Sequence, residues 1–372
     1  VFDKTNGVLK SLQPAWLDRD TIFLTLHGSH AYGTSTPTSD VDLRGICVPP
    51  MSYATGFLHD FDQCVHTKPQ DITVFSLRKF MELAAKGNPN ALEILFTDPS
   101  DHLKMTDAAE MLLEHRDAFL SKKLKHTLSG YAYAQIKRIK THRRWILHPP
   151  AGKPSRADYN LPERTVIPAD QIATATALVH KQIEAWDLDL EPLDEPSRIE
   201  LQGRLATILT EMGLASDEKF RAAGRVIGFS ENFLELLAKE RAYNAAKAEY
   251  DQYEHWKKTR NAARYAIEEK YGFDTKHGMH VCRLIRTCID VFETGKYIVK
   301  RPDAEELLTI RNGAWSYDQL VAYAEEKMTY LDSLYETSSL PREPNRKLLD
   351  SVCQSITESW WRNNAGRYTY AD

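Results

Sequence analysis

The chain has 372 residues, 42% of them hydrophobic, which is ample material for a core and more length than one ordinary domain needs. A formal net charge of -4 excludes a uniformly basic nucleic-acid coat, and five cysteines without paired metal-ligand spacing argue against a disulfide framework or a zinc knuckle. No apolar run is long enough to cross a bilayer, and the first residues lack the basic-then-apolar pattern of a signal peptide, so the expected setting is the reducing cytoplasm, with no membrane partner.

The first hundred residues read as mixed α/β. The apolar run Ile22 to Leu26 and the alternating run Val41 to Val48 predict two neighbouring strands, and Ile72 to Phe75 a third. Ser76 then caps a predicted helix carrying Leu77, Phe80, Met81 and Ala84 and closed by Lys86 and Gly87. Asn88 and Pro89 start another, with Glu93 expected on its exposed or interfacial side and without a catalytic role. From Asp107 onward apolar residues recur at helical spacing, as in Leu124, Leu128, Tyr131 and Gln135, followed by Ile136 and Ile139.

The same stretch is strongly basic. Lys122, Lys123, Lys125, Lys137, Arg138, Lys140, Arg143 and Arg144 occur without an intervening acid, and Tyr131, Tyr133 and Trp145 are interleaved. This is either a solvated helical face or a track for a nucleic-acid backbone. Pro149, Pro150, Pro154, Pro162 and Pro168 then forbid a continuous helix and mark a connector. A weaker break near Gly224 to Phe229 precedes a long charged helix expected to end at Tyr271 and Gly272, and Trp360 and Trp361 read as tail packing. The expected class is α+β. Its parts are a sheet-bearing core over 1–105, a basic helical segment over 106–148 packed on that core, a proline-rich connector and helical insertion over 149–225, and a helical domain over 226–372.

The stretch LTLHGSHAYGTSTPTSDVDLRGI carries the chemistry. A strand runs into Gly28 and Ser29, a polar turn follows, and Asp40 and Asp42 open the next strand, where alternation projects both carboxylates to one side and Val41 and Leu43 to the other. Two converging carboxylates suit Mg²⁺, which takes one or two of them together with triphosphate oxygens and water. Gly28 lets backbone N–H groups approach phosphate closely, and Ser29 adds a hydroxyl donor. Asp71, heading the run DITVF, is the best-placed third carboxylate for a second metal, with Asp62 as its rival. His30, Tyr32 and Thr38 lie in the turn, either against the nucleotide or simply solvated. Lys276, His277, His280 and Arg283 include residues that share a helical face. With no third ligand in view they suit anion contact better than zinc, to the triphosphate or an acceptor backbone, and Lys276, His280 and Arg283 are the nucleotide-binding candidates, with Arg311 as a further one.

A Gly-Ser turn, a spacer, an Asp-x-Asp pair and a later carboxylate resemble the signature of the DNA polymerase beta nucleotidyltransferase superfamily. More narrowly, GSHAYGTSTPTSDVDLRGI, KGNPNALEILF and DTKHGMHVCRLIR resemble the RNA repair pathway DNA polymerase beta family. The resemblance implies a small mixed-sheet polymerase-beta-like core followed by a large helical region. It implies transfer of a nucleoside monophosphate from a nucleoside triphosphate, ATP by default, to an acceptor hydroxyl. Asp40 and Asp42 would then ligate two Mg²⁺ ions, with Mn²⁺ as a substitute, and Asp71 the catalytic one. RNA is the implied acceptor, a tRNA or an RNA end. The alternatives are a protein hydroxyl or small molecule, and a non-catalytic RNA- or nucleotide-binding scaffold.

Overall fold

The computed structural model of the protein describes residues 2–3, 5, 7–67, 70–185, 216–260 and 262–365. They divide into two compact units, residues 1–146 with 262–372 and residues 147–261.

The first unit is built on strands β1 (Phe2–Asp3), β2 (Thr21–His27), β3 (Asp42–Cys47), β4 (Gln63–His66), β5 (Asp71–Ser76) and β6 (His102–Met105). They form one sheet in the order β1-β6-β2-β3-β5-β4, in which β3 and β5 run parallel and the other neighbours antiparallel. The class is α+β, as the sequence predicts. In register, His27 lies opposite Asp42, and Asp42 opposite Asp71, so three polar residues stand in a row at one end of the sheet.

Alternation sorts the strands between two cores. Leu24, Leu43, Ile72 and Val74 pack with Leu9, Leu12, Trp16 and Leu17 of the N-terminal segment on one side. Phe23 and Ile46 join the larger core on the other side. A register shift between Thr21 and Phe23 lets Ile22 enter that larger core too.

Helices build the second side. In chain order these are α1 (Gly28–Tyr32), α2 (Leu77–Ala85), α3 (Pro89–Leu95), α4 (Asp107–Glu114) and α5 (Lys123–Leu147). Ser76 accepts from the Lys79 backbone N–H to cap α2, and Gly87 takes the left-handed conformation just beyond it. Asn88 caps α3, with Pro89 at its first position. Glu93 departs from expectation: it is fully buried instead of lying on an exposed or interfacial side, because three polar side chains converge on its carboxylate. On α5, Leu124, Leu128, Ala132, Ile139 and Trp145 are buried, while Tyr131, Tyr133, Lys137, Arg138 and Lys140 are exposed.

The second unit contains α6 (Ala169–Ala185), α7 (Ser216–Val226) and α8 (Glu231–Thr259). Its core is formed by Ala175, Val179, Phe220, Ala223 and Leu237. Between the end of α5 and Pro168 the backbone has only the short turn Ala157–Tyr159 among its helical elements, and Arg156 there pairs with the buried Glu240 of α8. Of the expected helical insertion, residues 186–215 lie outside the described residues.

The chain then returns to the first unit with α9 (Ala262–Tyr271), α10 (Thr275–Thr294), α11 (Ala304–Arg311), α12 (Tyr317–Thr337) and α13 (Arg346–Asn364). The single long helix expected to reach Tyr271 is two helices, because Arg260 turns extended, with ψ 125, at the end of α8. Trp361 donates to Pro49 O at 2.9 Å, so the tail tryptophans pack on the unit. Among the described residues no helix is long and apolar enough to cross a membrane.

Candidate active site

At the polar end of the sheet lies a cleft of about 570 Å³. Its floor is read directly from strand alternation. Asp42 and Arg44 from β3, Thr73 and Phe75 from β5, and Gln63 and Val65 from the edge strand β4 all line it, each pair two residues apart and therefore on one face. His27, Gly28 and Ser29 close one side, Thr38, Ser39 and Asp40 another, and Asn90, Lys276, His280 and Arg311 come from helices. Residues far apart in sequence thus meet the Gly28–Asp42 segment.

Gly28 is held at φ 64, a left-handed conformation that favours glycine. Space makes the same demand, since a Cβ there would lie 2.2 Å from Asp42 Oδ2. The glycine is therefore a cradle for the Asp42 carboxylate as well as an opening toward the cleft. Asp40 lies just before β3 instead of within it, yet both carboxylates line the cleft. Among the described residues neither has a hydrogen-bond or ion-pair partner. Burial raises the pKa of Asp42 from its ordinary value, Arg44 and His27 oppose that, and the charges of Asp71 and Asp40 reinforce it.

Asp71 is the register neighbour of Asp42, but its carboxylate is engaged: Arg44 Nη1 donates to Asp71 Oδ1 at 3.1 Å. With its side chain 43% exposed, Asp71 stands beyond Arg44 and outside the cleft lining. Asp62 lies by the opposite end of β5, where its backbone carbonyl accepts from Ser76 N, and its carboxylate accepts from Lys79 Nζ at 2.6 Å. Among the described residues no group of three or more histidine, cysteine, aspartate or glutamate side chains is arranged to hold a metal ion. The Asp40–Asp42 pair and its glycine cradle nevertheless fit a cation that brings its remaining oxygen ligands on a phosphate chain.

The α10 cluster separates into different roles. Lys276 and His280 line the cleft. His277 is buried and bonds through Nδ1 to Asp274 Oδ2 at 2.7 Å, the residue that caps α10. Arg283 is buried and donates to Glu93 Oε1 at 2.6 Å, so its guanidinium is neutralised beneath the cleft instead of facing a ligand. Burial, with Arg283, His277 and Lys276 nearby, pushes His280 down to about 3, which leaves it an uncharged imidazole. Arg311 lines the cleft while donating to Thr34 O at 3.1 Å. Of the turn residues, Thr38 and the buried Tyr32 line the cleft, Tyr32 with its hydroxyl on Glu93 at 2.5 Å, while His30 is outside the lining. None of the basic residues of α5 lines the cleft.

Sequence reasoning missed Arg44, His27 and Glu93. Arg44 was detectable two residues after Asp42, on the same strand face. Glu93 also carried a signal, because an acid inside the apolar run ALEILF is soluble in a core only if it is paired. Burial alone would raise Glu93, but Arg283, His27 and Tyr32 outweigh it and bring it from the usual 4.5 to about 2.

A mixed sheet thus delivers a Gly-Ser turn and two carboxylates to one cleft, and the match to a known family suggests a polymerase-beta-like nucleotidyltransferase. Residues 6–147 match the model of the RNA repair pathway DNA polymerase beta family, which supports the resemblance carried by the motif. Over 332 residues the chain is 24% identical to an uncharacterized 38.9 kDa protein in the nrdC-mobD intergenic region of Enterobacteria phage T4, a similarity covering 84% of this chain and 89% of the relative. No solved structure matches the chain.

Proposed function

We propose that the protein is a Mg²⁺-dependent nucleotidyltransferase that moves a nucleoside monophosphate from a nucleoside triphosphate to an acceptor hydroxyl. The observation that carries this reading is the convergence of Gly28, Ser29, Asp40 and Asp42 with Lys276 and Arg311 on one cleft. Asp40 and Asp42 would hold the metal, which when bound would supply Lewis-acid polarisation of the phosphoryl oxygens. The Gly28–Ser29 turn and Lys276 bind the phosphate chain, and the neutral His280 offers a hydrogen bond without adding charge. The acceptor oxygen forms a bond to the α-phosphorus as the bond to the bridging oxygen of the β-phosphate breaks, and pyrophosphate leaves. Asp71, the register neighbour of Asp42 at the rim of the cleft, would orient the hydroxyl and take its proton once released from Arg44.

RNA is the acceptor favoured by the family match over residues 6–147. One observation favours a second reading, a protein hydroxyl or a small molecule: a groove running from the cleft onto the basic face of α5 would suit RNA, yet no α5 residue lines the cleft. Incubation of the protein with Mg²⁺, each of four α-³²P-labelled ribonucleoside triphosphates and total cellular RNA and protein separates these cases, with Asp40→Ala/Asp42→Ala as control. Label entering RNA and vanishing in the control is the expected result and names the base. Label in protein selects the second reading, and no label with no pyrophosphate released removes both macromolecular acceptors.

A further inference from the structure

Glu93 has no part in the reaction as described, yet it is fully buried and contacted by side chains of three elements. Arg283 Nη1 of α10 donates to its Oε1 at 2.6 Å, and the Tyr32 hydroxyl at the end of α1 donates to its Oε2 at 2.5 Å. His27 Nε2, at the end of β2, lies 3.3 Å from the same Oε2. The Arg283 guanidinium carbon also sits 3.7 Å from the centre of the Tyr32 ring. His27 immediately precedes Gly28, and Tyr32 closes the short helix that Gly28 opens, so one carboxylate is bonded to the far flank of the Gly28–Ser29 turn and lies against the near one. Arg283, in turn, follows His280 by three residues and Lys276 by seven along α10, spacings that stack side chains on one helix face.

An apolar cluster of equal volume would hold these elements together at least as well, because a buried ion pair loses much of its Coulombic gain to desolvation. What directed bonds supply instead is a set distance. We propose that Glu93 is a positioning residue for nucleotide binding, fixing the separation between the Gly28–Ser29 turn and the Lys276–His280 wall of α10. This rests on the reading of the cleft as a triphosphate site.

Calorimetric binding of magnesium tripolyphosphate, a probe that needs no base, tests it on the full chain. Tyr32→Phe removes one bond to Glu93 and keeps the ring, and Glu93→Gln/Arg283→Met removes both charges of the buried pair. Tripolyphosphate is expected to bind roughly 10-fold more weakly to the first and up to about 100-fold more weakly to the second. KM for the triphosphate should rise in step, while kcat at saturation changes less. Leu331→Ala, a cavity in the core on α12, should lower the melting temperature and leave affinity unchanged. Wild-type affinity in Tyr32→Phe overturns the positioning role whether or not the double variant folds, and so does a loss of affinity in Leu331→Ala matching its loss of stability. Failure of the wild-type chain to bind the probe removes the triphosphate reading itself, and the inference with it.

Discussion

Gly28 answers to backbone and side-chain constraints together, which makes it a sensitive position of the cleft. Alanine there must adopt φ 64 and place its Cβ where Asp42 Oδ2 now lies, 2.2 Å away. The backbone strain costs about 1–2 kcal/mol, and the carboxylate must swing aside. Gly28→Ala is therefore expected to melt only slightly lower while losing on the order of 100-fold in pyrophosphate release. A variant with wild-type turnover would show that the Asp42 position is not critical.

His280 supplies a pH signature. Its folded value is about 3 against an ordinary 6.5, so between these pH values the unfolded state binds the extra proton. The contribution of the neutral imidazole is fully present above pH about 6.5 and is lost as pH falls toward 3. Urea titrations across that window should show falling stability, with a shallower fall in His280→Asn. Equal slopes would assign the effect to other groups.

Among the elements, α10 packs on α11 and α12 and reaches α3 through Arg283, which donates to Glu93. Its cap, Asp274, accepts from the His277 backbone N–H at 3.1 Å and from the His277 ring at 2.7 Å. Asp274→Ala removes the cap and leaves a buried imidazole less well satisfied, so a loss of about 1–2 kcal/mol is expected in chemical denaturation. KM for the triphosphate should rise as well, because Lys276 lies in the first turn of that helix. Local signals did most for the helix ends here: Ser76, Asn88 and Gly87 are cap residues whose chemistry depends on a few neighbours. The break after Thr259 was not legible, since Arg260 has good helix propensity and turns extended all the same.

At the scale of the molecule, the matched residues 6–147 hold the carboxylates and the Gly-Ser turn, while Lys276, His280 and Arg311 reach the same cleft from helices near the other end of the chain. The exposed Lys137, Arg138 and Lys140 on α5 have no ion-pair partner among the described residues, and they lie outside the cleft lining. If they track an RNA backbone, changing all three to glutamate should weaken RNA binding and flatten its dependence on salt by about 2 in the log–log slope, with circular dichroism unchanged. An unaltered slope would favour an acceptor bound in the cleft alone.

What the sequence by itself determined was local and periodic. Strands β2, β3 and β5, the capped helices α2 and α3, and the grouping of Gly28, Ser29, Asp40 and Asp42 all depend on residues close along the chain, where alternation, helical spacing and turn chemistry act directly. Only the tertiary structure decided that Arg44 holds Asp71, that Glu93 is buried as a carboxylate, and that Arg283 turns inward to it while Lys276 lines the cleft. The reason is that an ionic side chain is buried or exposed according to the partner it meets, and that partner can lie far along the chain: 190 residues separate Glu93 from Arg283.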